Sequence, residues 1–208
     1  MSKGVATVSQ PIANSVGIIL AAGASRRLGT NKAMIEIGMS TLLELQISML
    51  QRAGLSLIIV VSNPMNQLTH GPIQGVKHVV NSHFDKGRMS SIQAGLNHAL
   101  SIKKEVNCVI ICPVDRPGWR PKIIGQLLEH SVSSRPVSKT GGGHPVTIMR
   151  NDFDLILTSS PDKPLNECIE FNPVHVDSPF FNVNLDTQES VDQFLRELPR
   201  FLSYIEEE

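Results

Sequence analysis

The chain has 208 residues, 41% apolar and 18% charged, which suits one domain with a substantial core and excludes the disordered class. Lys and Arg balance Asp and Glu at a formal net charge of zero, so no global field steers the chain toward nucleic acid or an anionic membrane. The longest apolar runs, Leu57 to Val61 and Val109 to Cys112, are strand-sized and far short of a membrane span.

In chain order, residues 1–15 read as a loose tail without the apolar stretch of a secretory signal, and a single domain is expected over 16–208. Val16 to Leu20 is a compact strand ending at a Gly-containing loop. Thr41 to Arg52 repeats apolar positions at Leu42, Leu45, Met49 and Leu50, a helical face closed by Gly54. Strands follow at Leu57 to Val61, stopped by Asn63-Pro64, and at Val76 to Val80. Ser90 to Leu100 reads as a helix, Val106 to Cys112 as a strand ended by Pro113, and Ile123 to His130 as a helix. This alternation predicts βαβ units and a mostly parallel sheet covered on both faces. Beyond Ser131 the pattern weakens. Arg135 to Gly143 reads as a polar, Gly-rich connection and Pro145 to Met149 as a strand. Asp152 to Thr158 is expected as a short helix, with Pro161 and Pro164 marking a loop. Val174 to Val176 and Phe181 to Leu185 are read as strands and Thr187 to Leu195 as a helix.

Three cysteines make an odd count, against a disulfide framework. Cys108 and Cys112 lie four apart on one strand, roughly 13 Å, too far for a disulfide or for two ligands of one zinc. Both read as small core hydrophobes, and Cys168 earns no other role. A reducing cytosol is the expected compartment.

In open parallel sheets ligands bind beyond the carboxyl ends of the strands. The loop after the first strand reads Leu20-Ala21-Ala22-Gly23-Ala24-Ser25-Arg26-Arg27-Leu28-Gly29, followed by Thr30-Asn31-Lys32. Its small residues let backbone N–H groups turn toward an anion, while Arg27 and Lys32 add charged donors for phosphate. On composition alone the same loop suits a surface turn with solvated basic side chains. It has neither the order of a Walker A loop nor the G-x-G-x-x-G spacing of dinucleotide folds. The full string Leu-Ala-Ala-Gly-x-Ser-x-Arg-Leu-Gly-x-x-Lys resembles the signature of the sugar-nucleotide and cofactor nucleotidyltransferases.

That resemblance implies an α/β fold of nucleotide-diphospho-sugar transferase type, a single-domain Rossmann-like three-layer sandwich. Asn81 to Leu96 is similar to the Asn…Gly-Met-Ser-x-Ser-Leu-x-x-Gly-Leu segment of the molybdenum cofactor cytidylyltransferase branch of the MobA-like family. Ser90 and Ser91 lie at a helix start, where hydroxyls cap the helix or meet a ligand, and Gly95 allows close approach of a neighbouring backbone or a base. Arg88 departs from the Met usual in that branch, as a phosphate ligand or the mark of a different acceptor. Asp115, in Cys112-Pro113-Val114-Asp115-Arg116-Pro117, stands at a strand end between prolines; alone it suits a hard cation or a capped turn, and Arg116 suits a surface ion pair. The resemblance places Mg²⁺ on Asp115 and, through Asn184-Leu185-Asp186-Thr187, on Asp186. Gln188 and Ser190 replace the family's Pro and Asp there. Gly143-His144-Pro145 resembles the acceptor-side strand, although His144 by itself suits a structural role.

The resemblance thus implies catalytic Arg27, Lys32 and Asp115, and a nucleotide site of Leu20, Ala21, Ala22, Gly23, Ala24, Ser25, Arg27, Lys32, Asn63, Asn81, Ser90, Ser91 and Gly95. Gly143, His144 and Pro145 would meet the acceptor. The expected reaction transfers CMP from CTP, with Mg²⁺, to a small phosphorylated acceptor, foremost molybdopterin, with transient contact to an enzyme that receives the finished cofactor. Another base, a sugar, polyol or phosphonate acceptor, and a non-catalytic carrier of nucleotide or molybdenum cofactor remain open alternatives.

Overall fold

The computed structural model describes residues 14–23, 28–65, 73–139 and 141–207. Its first strand, β1 (Ser15–Leu20), is buried throughout and lies at the centre of the sheet. A two-residue hairpin, β2 (Glu36–Ile37) and β3 (Ser40–Thr41), leads into helix α1 (Leu42–Arg52). Thr41 caps α1 reciprocally: its hydroxyl accepts from the Glu44 N–H, and the Glu44 carboxylate accepts from the Thr41 N–H at 2.7 Å. Two of the helix's orphan donors are satisfied in this way, which fixes where it starts. Strands β4 (Ile58–Ser62) and β5 (Val76–Val80), helix α2 (Arg88–Ile102), strand β6 (Cys108–Pro113) and helix α3 (Pro121–Leu128) follow.

The second half begins with β7 (Ser134–Ser138), β8 (Gly141–Gly142) and β9 (Val146–Met149). Then come short helices α4 (Phe153–Thr158) and α5 (Leu165–Cys168), strand β10 (Asn172–His175), and helices α6 (Gln188–Arg196) and α7 (Leu198–Glu206). The sheet runs β10-β7-β9-β6-β1-β4-β5, with β8 paired to β7. β5, β4, β1 and β6 are mutually parallel, β9 runs antiparallel to β6 and β7, and β10 is parallel to β7. The chain steps from β1 to β4 and β5 on one side, then returns to place β6 on the other. The carboxyl ends of β1 and β6 therefore flank the switch point, where open α/β sheets bind ligands.

Alternation along the central strands divides the core into two layers. Val16, Ile18, Leu20, Ile59, Val61, Val109 and Ile111 pack beneath α2 and α4, while Ile19, Ile58, Val60, Cys108, Ile110 and Cys112 pack beneath α1, α3, α6 and α7. Both buried cysteines are core side chains, as expected, and burial pushes the Cys108 thiol up to about 12. Among the described residues no helix is long and apolar enough to cross a membrane.

Three expectations require correction. Arg135 to Gly143 is not a loose connection but contains β7 and β8. Ser134, with no exposed surface, donates its N–H to the Thr147 hydroxyl at 3.1 Å, so polar groups satisfy a strand that carries no apolar alternation. Phe181 to Leu185 is not a strand. Its N–H groups turn back on the chain, Phe181 to the Ser178 carbonyl and Val183 to that of Phe180, while Leu185 donates to the Asp115 carbonyl at 2.9 Å. The strand read from Val16 starts one residue earlier, at Ser15, and residues 1–13 of the proposed tail lie outside the described residues. Helix α7 has no counterpart among the sequence expectations; it covers the core with Phe201, Tyr204 and Ile205, and its Ile205 carbonyl accepts from Arg52.

Gly95 marks where α2 meets the sheet. A Cβ there would stand 2.6 Å from Cγ2 of Ile18 and 3.0 Å from Cγ2 of Val61, both rigid, fully buried side chains. Gly95→Val should therefore destabilise the fold by about 2 kcal/mol or more, through overpacking that outweighs a small gain in helix propensity. Urea unfolding measures this; an unchanged midpoint would contradict the packing described.

Candidate active site at the switch point

Lys32 opens a 3-10 turn, Lys32–Met34, whose start is held by the Asn31 carboxamide accepting from the Ala33 N–H at 3.1 Å. The turn aims the Lys32 ammonium at two carboxylates. It donates to Asp115 Oδ2 at 3.1 Å and to Asp186 Oδ1. The three side chains are only 14%, 19% and 27% exposed, so water screens this triad less than a surface pair. Asn184 Nδ2 fixes the other oxygen of Asp186 at 2.9 Å. The Leu185 N–H to Asp115 carbonyl bond stitches the two acidic segments together. From below, the fully buried Gln46 of α1 donates its amide to the carbonyls of Pro113 at 3.2 Å and Val114 at 2.8 Å, holding the exit of β6.

A cavity of about 250 Å³ opens beside this triad. Of the expected nucleotide residues, Leu20, Ala21, Ala22, Gly23, Lys32 and Ser91 line it, together with Asp115. Ala24, Ser25 and Arg27 lie outside the described residues. Asn63, Asn81, Ser90 and Gly95 do not line it. Asn63 donates its amide to the Ala22 carbonyl at 2.8 Å, shaping the first loop from behind. Asn81 donates to the hydroxyls of Ser90 at 2.8 Å and Ser91 at 3.0 Å, and Ser90 in turn donates to backbone carbonyls. These buried amides and the Ser90 hydroxyl are used up in building the walls, because buried polar groups need partners. Gly95 serves the helix–sheet contact rather than a base. Asn31, Phe84, Asp85 and Gly87 line the same cavity but were not among the expected nucleotide residues, although Gly87 is the glycine of the Asn81 to Leu96 motif.

A second cavity, of about 530 Å³, adjoins the first, with Leu20 and Arg88 lining both. Gly143 and His144 belong to its wall, whereas Pro145 is buried beside them. Arg116, read as suited to a surface ion pair, instead lines this cavity and is in no ion pair with a described residue. Arg135 and Phe181 were missed, hidden in segments misread as loop and strand. The glycines explain their placement: a Cβ at Gly142 would stand 3.2 Å from the Arg135 guanidinium, and one at Gly143 would collide with the Phe181 ring.

His144 reports the field in this cavity. Burial, then the charges of Arg88 and Arg116, push its imidazole down to about 4, and its Nδ1 is buried without a partner. It is therefore neutral at physiological pH.

The fold and site together define a doubly wound α/β protein with its ligand cleft at the switch point. A family model described as MobA-like NTP transferase domain matches residues 17–176. The chain belongs to that family. Among curated proteins it is similar to a probable molybdenum cofactor guanylyltransferase of Opitutus terrae, 26% identical over 111 residues, which are 53% of this chain and 52% of that protein. The chain thus spans about half the length of the curated relative it matches. Among solved structures it is similar to the homolog of Mycobacterium tuberculosis rv0371c from Mycobacterium sp. strain JC1. The TM-score is 0.73 at 22% identity, covering 90% of this chain and 98% of the other. It is also similar to 4-diphosphocytidyl-2C-methyl-D-erythritol synthase from Anaerococcus prevotii, with a TM-score of 0.70 at 15% identity, covering 89% and 98% of the two chains. At these identities the likeness speaks for the fold.

The neutral His144 has a thermodynamic consequence. Its folded pKa of about 4 lies below the ordinary value of 6.5, so between them the unfolded chain binds a proton that the folded chain does not. Stability should fall as pH drops from 6.5 toward 4. His144→Gln should flatten that part of the acid-unfolding profile. An identical slope in variant and parent would contradict a buried neutral imidazole.

Proposed function

We propose that the chain transfers the cytidylyl group of CTP to a phosphorylated small molecule, foremost molybdopterin, and releases pyrophosphate. The observation that carries this reading is the convergence of Asp115 and Asp186 on one ammonium, beside the cavity under the first loop. That convergence supports a cation site, and the donor set suits Mg²⁺, which takes one or two carboxylates and keeps several waters. Among the described residues there is no cluster of three or more His, Cys, Asp or Glu groups, as a zinc site would need.

In the reaction, an acceptor phosphate oxygen attacks the α-phosphorus of CTP, and the bond to the bridging oxygen of the leaving pyrophosphate breaks. The nucleophile is already ionised near neutral pH, so no general base is required. Catalysis then consists of positioning and charge stabilisation. Mg²⁺ held by Asp115 and Asp186 would supply charge neutralisation on the phosphate oxygens. Lys32 contributes a mobile ammonium, Arg27 a guanidinium from the loop motif, and the first loop the backbone N–H groups beyond Ala21, whose own N–H donates to the Val61 carbonyl at 2.8 Å. Helix α2 adds its start: Gly87, the N-cap, offers no side-chain cap, leaving first-turn N–H groups for an anion. His144 stays uncharged and shapes the acceptor wall with Gly143, and Pro145 backs it.

The cytidylyl donor rests on the resemblance of the Ser90-Ser91 segment. The guanylyltransferase name of the Opitutus relative favours GTP as the second reading. A reducing cytosol is the proposed compartment.

Pyrophosphate release with CTP, GTP and ATP, Mg²⁺ and candidate acceptors tests the proposal, with CTP expected to support the fastest turnover. Asp115→Ala should lower turnover by more than about a hundredfold, and Lys32→Ala should also lower it. Undiminished Mg²⁺-dependent release by Asp115→Ala would overturn the metal assignment, and a preference for GTP would replace the donor.

A further inference from the structure

The larger cavity holds more positive charge than an acceptor's single attacking phosphate requires. Arg88, Arg116, Arg135 and Lys163 line it against one carboxylate, the exposed Asp162, which accepts from the Ser160 hydroxyl. Among the described residues none of the four cations is in an ion pair. Like charges gathered in a concave, partly dry wall repel one another and hold the site ready for anions. Arg135 adds a specific sign of an absent partner, because its Nε is buried without an acceptor. Buried guanidinium N–H groups are costly to leave unpaired, and their planar fork suits carboxylate or phosphate oxygens.

Position separates these cations into two groups. Arg88, at the first turn of α2, lines both cavities and faces the seam beside Lys32 and Asp115 where phosphate transfer would occur. Arg116 and Arg135 line the larger cavity alone. A phosphate at the seam engages Arg88 and the helix start, which leaves Arg116 and Arg135 to another group. Met89, Phe171 and Phe181 provide an apolar flank for an organic body between the two ends.

We propose that the acceptor carries a second anionic group, separate from its attacking phosphate, and that Arg116 and Arg135 hold it. This rests on the reading of the larger cavity as the acceptor site. Arg116 and Arg135 are then specificity-determining residues, which reject alcohol phosphates lacking a second anionic group by leaving their own charges unpaired.

Calorimetric titration of the full chain with three-carbon probes tests this without knowledge of the natural acceptor. Glycerol 3-phosphate carries phosphate alone, 3-phosphoglycerate adds a carboxylate, and 2,3-bisphosphoglycerate adds a further phosphate. The parent protein should bind one or both of the latter at least about tenfold more tightly than glycerol 3-phosphate. The arm that gains most identifies the second anion as carboxylate or phosphate. Arg116→Gln and Arg135→Gln should each erase most of the preference, Arg135→Lys should retain part, and neutralising the exposed Lys104 outside the cavity should leave it intact. Equal affinities in the parent, no binding at millimolar probe, or a preference that persists in both Gln variants would overturn the proposal. Thermal midpoints of both variants exclude unfolding as the cause of a loss. Binding of CTP with Mg²⁺, titrated in parallel, should be unchanged in Arg135→Gln. Failure of the parent to bind CTP counts against the cytidylyl reading, whereas a missing probe preference counts against the second anion.

Discussion

One ammonium holds the cleft together. Lys32 meets Asp115 and Asp186 across sequence separations of 83 and 154 residues, drawing three segments of chain to a point. Nothing local to any of them creates that point. The β1–β6 register aligns Leu20 with Pro113, which brings the first loop alongside the Asp115 loop. The Leu185 N–H bond to the Asp115 carbonyl then docks the segment bearing Asp186, and Gln46 braces the same loop from the core. Two carboxylates at such distance from bulk water would repel each other and resist desolvation without a cation between them.

On the proposed reading, this arrangement suits phosphate chemistry in a particular way. An ammonium on a flexible stem is a compact charge that can turn from carboxylate to phosphate without rearranging the backbone. Asn184 holds the Asp186 carboxylate and the backbone stitch holds the Asp115 segment, so on the proposed reading little reorganisation would accompany cation binding. The two cavities divide the work between them. The smaller one is built of backbone and small side chains around the first loop, while the larger one presents guanidinium groups and aromatic rings. Arg88 stands at their junction.

The central strands of the parallel half were legible as apolar runs that stop at a loop with Gly, Pro or Asn, whereas the edge strand β5 interrupts its run with Lys77 and His78. The helix from Thr41 was legible in its apolar spacing at Leu42, Leu45, Met49 and Leu50 and in the Gly54 that closes it. Lys32, Asp115 and Asp186 were legible only through resemblance, since each alone suits a solvated surface group. Strand β7 escaped because Ser134 and Pro136 satisfy their backbone through Thr147 and Gly143 rather than by an apolar alternating face. Phe181, Val183 and Leu185 imitate a strand's alternation, yet Leu185 is fully buried while Phe181 lines the larger cavity, a division made by turns rather than by a pleat. Asn63 and Asn81 look like ligand residues at strand ends but point inward to brace loops. Whether a polar side chain at a strand end meets a ligand or a carbonyl depends on the loop opposite, which no local pattern encodes.

The central claim is that Asp115 and Asp186 act on one cation. Manganese binding, followed by electron paramagnetic resonance in the parent, Asp115→Asn, Asp186→Asn and the double variant, tests it as a thermodynamic cycle. Shared coordination predicts strong coupling, with either single change removing most of the affinity and the second adding little. Losses that simply sum, as for two independent carboxylates, would contradict the account.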